Sequence, residues 1–257
     1  MRVNKEKALA ENIKKTSLYD KKLKMFRLNV SLKDAPLEIG RIKVFPRGWL
    51  ENESVWLHME YKYLLELLKN DLYEEFYKNF FNCCVCFLKP SSYGRNILEN
   101  SSFIVSSVNP SSSLWGKGFI ARLTGATAEI INIWILMCLG REPFYVDEKN
   151  NLYIKFSPIL KKELFTKKEI FLEKEKIKLP KNSFAFKLFS SVWVVYHNPE
   201  RKDTYSGSLK IKRIEVIKKN KEKTILNKNI IFPPLSYEIR QKDVERIDIF
   251  FGSKVNN

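Results

Sequence analysis

The chain has 257 residues, 44% of them hydrophobic and 13% aromatic, with a net charge of +17; this describes a globular rather than a disordered protein and supplies apolar bulk for one large domain or two small ones. The positive excess sits toward the two ends of the sequence, whereas 49–150 is mildly acidic. Lysines dispersed in this way describe a solvated surface, so no nucleic-acid partner is expected.

Residues 1–24 read as a charged helix whose apolar positions, Ala8, Ile13 and Leu18, are sparse. Met25–Val30 and Ile42–Phe45 read as short extended pieces, punctuated by turns at Asp34-Ala35-Pro36 and Pro46-Arg47-Gly48. The segment Glu51-Asn52-Glu53-Ser54-Val55-Trp56-Leu57-His58 then opens an amphipathic helix. Asn52 is its expected N-cap, with Glu53 in the first turn. Trp56, Met59, Tyr63, Leu64, Leu67, Leu68 and Leu72 form the apolar stripe, and His58 lies off it. A second helix is expected over Tyr73–Leu88, closed by Lys89-Pro90, followed by a polar, turn-rich stretch with a short element near Phe103–Ser107. Thr124-Gly125 opens a third helix running to about Leu139 and ended by Gly140; it is apolar on nearly every side, which predicts burial.

From about residue 150 the texture changes. Leu152–Phe156, Phe184–Phe189, Ser191–His197, Leu209–Ile217 and Arg246–Phe251 are β-branched or aromatic runs separated by turn clusters, which predicts an antiparallel β-module. The expectation is therefore α+β, with a helical domain over 1–149 and a β-sheet domain over 150–257.

Three of the four cysteines, Cys83, Cys84 and Cys86, crowd an aromatic run with no second pair to complete a zinc site; with Cys138 they read as buried free thiols in a reducing compartment, and no metal is expected. Met1–Lys7 lacks the apolar segment of a signal peptide, and Ile130–Leu139 is too short to cross a bilayer, so the expectation is a cytoplasmic chain with no membrane partner.

The residues that carry chemistry are few. His58 shares a turn with the polar residues Glu51, Asn52 and Ser54, and donors exposed near a helix start suit an oxyanion. Thr124-Gly125 offers a hydroxyl and a backbone that an anion can approach, without being a Walker loop. Glu99-Asn100 supplies a carboxylate and an amide that suit either sugar hydroxyls or the fixing of their own loop, and aromatics such as Trp56 suit either stacking on sugar rings or the core. His197, in an alternating strand, reads as structural. No Ser-His-Asp grouping or metal triad assembles, and no general acid is marked by spacing.

Four motifs in order, Asp34-Ala-Pro-Leu-Glu-Ile-Gly40, Pro46-Arg-Gly-Trp-Leu-Glu-Asn-Glu-Ser-Val-Trp-Leu-His58, Tyr93-Gly-Arg-Asn-Ile-Leu-Glu-Asn-Ser-Ser-Phe103 and Gly118-Phe-Ile-Ala-Arg-Leu-Thr-Gly-Ala-Thr-Ala-Glu129, resemble the C-terminal part of glycoside phosphorylases of the cellobiose phosphorylase family, glycoside hydrolase family 94. The likeness is to members acting on 1,2-β-linked glucooligosaccharides and covers the chain from about residue 25 onward. It implies the last part of an (α/α)6 barrel followed by a β-sheet domain. It also implies phosphorolysis with inversion, in which inorganic phosphate, a co-substrate rather than a cofactor, attacks the terminal glucose and gives α-glucose 1-phosphate. By motif match, His58, Thr124 and Gly125 would hold phosphate. Glu51, Asn52, Trp56 and Glu99 are the candidate substrate-binding residues. Where many relatives have Gly-Gly, this chain has Glu53-Ser54. The family's general acid is an Asp upstream of the matched segment, so the resemblance implies no catalytic residue in this chain and a second polypeptide carrying the earlier barrel helices. The rival expectation is an inactive carbohydrate-binding or scaffolding remnant.

Overall fold

The computed structural model describes residues 2–121 and 125–253, with the side chains of 2–4 left aside. The protein combines helices with largely antiparallel sheets, an α+β architecture. It divides into two compact units, Met1–Trp134 and Ile135–Asn257, the division falling inside a helix.

The first unit opens with α1 (Arg2–Ile13), after which a turn leads into the two-residue strands β1 (Tyr19–Asp20) and β2 (Met25–Phe26), paired antiparallel. The expected helix over 1–24 therefore ends early. The Thr16 hydroxyl donates to the Ile13 carbonyl, at the end of the helix, at 2.7 Å, a local competitor for helical bonds. Of Ile42–Phe45, expected to be extended, all but Phe45 falls in the 3-10 turn Arg41–Val44.

Next come β3 (Val55–Trp56), α2 (Leu57–Lys69), α3 (Tyr73–Cys83) and the single-turn α4 (Pro90–Tyr93). α2 and α3 bury one face each, with Leu57, Tyr61, Leu64, Leu65, Leu67 and Leu68 on the first and Phe76, Tyr77 and Phe80 on the second. The buried stripe of α2 is rotated from the one expected: Met59 is exposed, and Glu60 takes an inward place. The Phe26 N–H reaches Glu60 Oε2 at 3.0 Å, Oε1 has no hydrogen-bond partner, and burial pushes the carboxyl up to about 8.

Strands β4 (Phe103–Ile104) and β5 (Gly118–Phe119) complete a three-stranded sheet with order β3-β4-β5. Trp56 pairs with Phe103 and Phe103 with Phe119, both antiparallel. Two antiparallel steps make β3 and β5 parallel to each other, so the chain leaves both strands at the same end of the sheet. From β3 it enters α2 directly; from β5 it continues toward α5 (Ala126–Leu139).

α5, apolar on nearly every side, was expected to be buried. Ala126, Ile133, Met137, Cys138 and Leu139 are buried, but Ile131, Trp134 and Ile135 are 53%, 42% and 40% exposed, an apolar face open to water. Gly140 ends the helix at φ 93°, its N–H on the Leu136 carbonyl.

In the second unit, β6 (Phe144–Val146) and β7 (Leu152–Lys155) form a hairpin, followed by a second hairpin of β8 (Ile170–Leu172) and β9 (Ile177–Leu179). Then come β10 (Ser183–Leu188), β11 (Val192–His197), β12 (Leu209–Lys218), β13 (Lys223–Leu226), β14 (Ile230–Ile231), the helix α6 (Leu235–Gln241) and β15 (Val244–Ser253). β14 adds to β7, and the main sheet has the order β10-β11-β15-β12-β13. One of its pairings, β11 with β15, is parallel, so the module is mixed rather than wholly antiparallel. Its core is built by Val192, Val194, Tyr196, Ile214, Val216, Ile247 and Ile249.

Candidate functional site

His58 is the second residue of α2, and Gly125 immediately precedes α5. β3 and β5 run in the same direction, and the two helix starts lie side by side. The contact is close: a Cβ placed on Gly125 would fall on Nε2, Cε1 and Cδ2 of the His58 ring, so no larger residue fits at 125 without moving the imidazole. The Gly125 carbonyl accepts the Glu129 N–H at 3.0 Å, which makes Gly125 the residue that opens the helix. One turn on, Glu129 Oε1 stands 3.4 Å from His58 Nε2, with the imidazole 29% and the carboxylate 15% exposed. The Nε2 edge of His58 thus faces the start of α5. Thr124 lies outside the described residues.

The loop that presents α2 is organised around Glu53, not capped by Asn52. Strand pairing continues to Trp56, so α2 begins at Leu57, whose N–H bonds the Ser102 carbonyl at 3.1 Å. That corrects the expected N-cap: Asn52 is buried in a turn, its amide donating to the Phe45 carbonyl at 2.7 Å and its backbone bridged to Trp49. Glu53 also lies outside the helix, at φ 59° in the left-handed region. Its carboxylate is 1% exposed and is held by Arg47 at 2.5 and 2.9 Å and by Arg27 at 2.9 Å. Its N–H donates to Asn29 Oδ1 at 2.8 Å, and its carbonyl accepts the Ser106 hydroxyl at 2.6 Å. The buried carboxylate of Glu53 therefore ties together the segments around residues 27 and 47, its backbone carbonyl adds the segment around 106, and together they set the entry into α2. The Glu53 hydrogen bond with Arg47 pushes that guanidinium still further up from its ordinary value.

The remaining candidates are distributed around this centre. The Glu51 carbonyl accepts the Asn29 amide at 2.6 Å. Trp56 is 8% exposed and lies nearly parallel to Phe103 at 5.9 Å, in an apolar cluster with Val105 that Trp49 and Phe119 complete; its ring is committed to the core. Glu99 pairs with Arg95 at 2.9 Å at the surface, and its carbonyl accepts the Tyr93 hydroxyl at 2.7 Å. Next to it, Asn100 Oδ1 accepts the Tyr61 hydroxyl at 3.0 Å, tethering the Glu99 loop to the helix that carries His58. His197, in the other unit, is 2.6 Å from Asp248 and stacked on Phe250. Burial raises the Asp248 carboxyl, but His197 and Arg246 outweigh it and hold the group below its usual value.

Sequence reasoning missed Arg27, Arg47 and Glu129. Glu129 had a signal, since it lies four residues beyond Gly125 and so on the same helical face. The two arginines had none, because only the fold brings them to position 53. Among the described residues no group of three or more His, Cys, Asp or Glu could hold a metal ion, and no helix is long and apolar enough to cross a membrane. The arrangement sets an imidazole beside a helix N-terminus, the two groups that can favour a small anion, with the Glu129 carboxylate already at the Nε2 edge. No family model matches the chain, and no curated protein matches it.

Proposed function

We propose that this chain forms the phosphate-holding part of an inverting glycoside phosphorylase acting on β-linked glucooligosaccharides, with 1,2-β-glucans as the substrate class and α-glucose 1-phosphate as product. The observation that carries the reading is the Nε2 edge of His58 set against Gly125 at the start of α5. A protonated imidazole gives a charge-assisted hydrogen bond to a phosphate oxygen, and the positive end of a helix favours the same charge. Phosphorolysis needs the anion fixed against the anomeric carbon before attack, and that is a positioning task.

Two further features support the reading. Glu53 stands where many members of the resembled family have glycine, and its φ of 59° is the conformation glycine favours. The apolar face of α5 at Ile131, Trp134 and Ile135 is the kind of surface that further barrel helices would cover. In this proposal a second polypeptide carries those helices and the acid that protonates the leaving oxygen. Glu51, Asn52 and Glu99 belong to loops near the sugar, and Trp56 supports them from the core.

The test is to purify the native species through this chain and assay phosphate-dependent release of glucose 1-phosphate from 1,2-β-glucooligosaccharides. Activity that falls at least a hundredfold in H58A is the expected result. A native species that binds the oligosaccharide without phosphorolysis would make the chain a binding remnant and overturn the proposal.

A further inference from the structure

Three thiols gather where α3 ends. Cys83 closes the helix, Cys84 follows it, and Cys86 sits in the 3-10 turn Val85–Phe87. The turn is fixed on both sides: the Cys84 N–H bonds the Phe80 carbonyl at 2.9 Å, the Phe87 N–H bonds the Cys84 carbonyl at 3.0 Å, and the Phe87 ring packs on Phe80 and Phe81 at 5.4 and 5.0 Å. Helical backbone at Val85 draws the flanking Cα atoms to about the 5.5–6 Å that a disulfide spans. The sulfurs of Cys84 and Cys86 already lie 3.5 Å apart.

The two thiols differ in the way a reactive pair requires. Cys84 is buried, whereas Cys86 is exposed, contrary to the expectation that all four cysteines are buried. The thiol–thiol contact with Cys84 holds the Cys86 thiol below its ordinary value, and the same contact together with burial lifts Cys84. Accessibility and thiolate character therefore fall on one sulfur, with a protonated thiol in reserve beside it. Cys83 takes no part: it is buried, and burial and the nearby Glu60 push its thiol up.

We propose that Cys84 and Cys86 form a reversible dithiol–disulfide site, oxidised by hydroperoxides, in which Cys86 is the attacking thiol and Cys84 the resolving one. The Cys86 thiolate attacks the terminal oxygen of the hydroperoxide. The O–O bond breaks, the leaving alkoxide or hydroxide takes up a proton, and Cys86 becomes a sulfenic acid. Cys84 gives up its proton and attacks the Cys86 sulfur; the S–S bond forms, the S–O bond breaks, and the hydroxide leaves with that proton as water. Two thiols and one hydroperoxide thus give one disulfide, one alcohol or water, and one water, the two electrons passing from sulfur to the peroxide oxygens. A thiol reductant reverses the change by exchange.

The experiment treats the reduced full chain with one equivalent of hydrogen peroxide, quenches by alkylation under denaturing conditions, and reads intact mass and peptide maps. The expected product is a Cys84–Cys86 link with Cys83 and Cys138 still alkylated, formed at least tenfold faster in the folded chain than in urea and reversed by dithiothreitol. C84S should instead accumulate sulfenic and sulfinic acid at Cys86, and C86S should form no link. Over-oxidation of Cys86 in the unmutated chain, a link through Cys83, or a rate equal to that in urea would each overturn the proposal.

Discussion

Removing the Glu53 carboxylate separates a charge effect from a backbone effect at one position. The anion is buried and shared by two guanidiniums, but these are not equivalent: the Arg47 side chain is 53% exposed and the Arg27 side chain 8%. The Arg47 contact is screened by water and contributes little. Arg27 is the partner left stranded, with its Nε already lacking a hydrogen-bond partner and its remaining arm on the Ser17 carbonyl. Removing one member of a buried pair costs about 3–5 kcal/mol. Glu53 also holds φ 59°, which costs a residue with a Cβ roughly 1–2 kcal/mol and glycine almost nothing. E53A should therefore lose about 3–5 kcal/mol and E53G about 1 kcal/mol less, in urea unfolding of the first unit followed by tryptophan fluorescence. The combined R27M/E53G variant, which removes the stranded charge, should recover most of the loss, a coupling of at least about 2 kcal/mol. If R27M/E53G is no more stable than E53G, the stranded-charge argument is wrong. Equal losses in E53A and E53G would remove the backbone part.

Other positions give independent checks. G125A would drive a methyl group into the His58 ring; it should cost about 1–3 kcal/mol by overpacking, and phosphate, which is expected to perturb the His58 NMR resonance in the unmutated chain, should no longer do so. G140A should lose more than about 2 kcal/mol in urea unfolding of the second unit, since φ is 93° and the new carbon would meet the Ser157 backbone. Because burial raises Glu60 to about 8 from 4.5, the folded state keeps a proton that the unfolded chain has lost. Stability then falls as pH rises from about 4.5 to about 8 and levels off above that. E60Q removes this slope: it should match the unmutated chain near pH 4.5 and exceed it in Tm at pH 8, and parallel Tm curves would contradict the assignment.

The parts of the fold legible in the sequence are those whose signal is local. The apolar spacing of 57–68 and 76–80 marks two amphipathic helices because side chains on one helical face must be buried together. Alternation in Val192–His197 and Arg246–Phe251 marks strands for the same reason with a different period. The start of α2 was misplaced because Asn52 and Glu53 have the chemistry of an N-cap and first turn, and the same chemistry serves a buried turn. What decides between them is the pairing of Trp56 with Phe103, a contact between distant segments. The parallel β11–β15 pairing was hidden likewise, since neither strand carries a mark of its neighbour. Two- and three-residue strands such as β8 and β9 are too short to show a period. α5 shows the opposite failure. Its composition says "bury" on every side, and the described fold leaves Ile131, Trp134 and Ile135 open.

The candidate site shows how a short sheet converts two separate motifs into one place. Neither β3 nor β5 is longer than two residues, yet with β4 between them their directions are fixed to be parallel. That alone sends the chain after Trp56 and the chain after Phe119 out of the same edge. The first turns of α2 and α5 do lie close together, as the contact of Gly125 with the His58 ring shows. Gly125 sets the distance: without a Cβ, the α5 backbone comes up to the imidazole, and Glu129, four residues later, is carried to the same ring. The sheet brings the helix starts together, glycine sets their separation, and Glu53 with Arg27 and Arg47 fixes the loop that aims α2. Sequence spacing exposes the first pair of motifs because each has its own polar signature. The clamp behind them is visible only when Arg27 and Arg47 meet on one buried carboxylate.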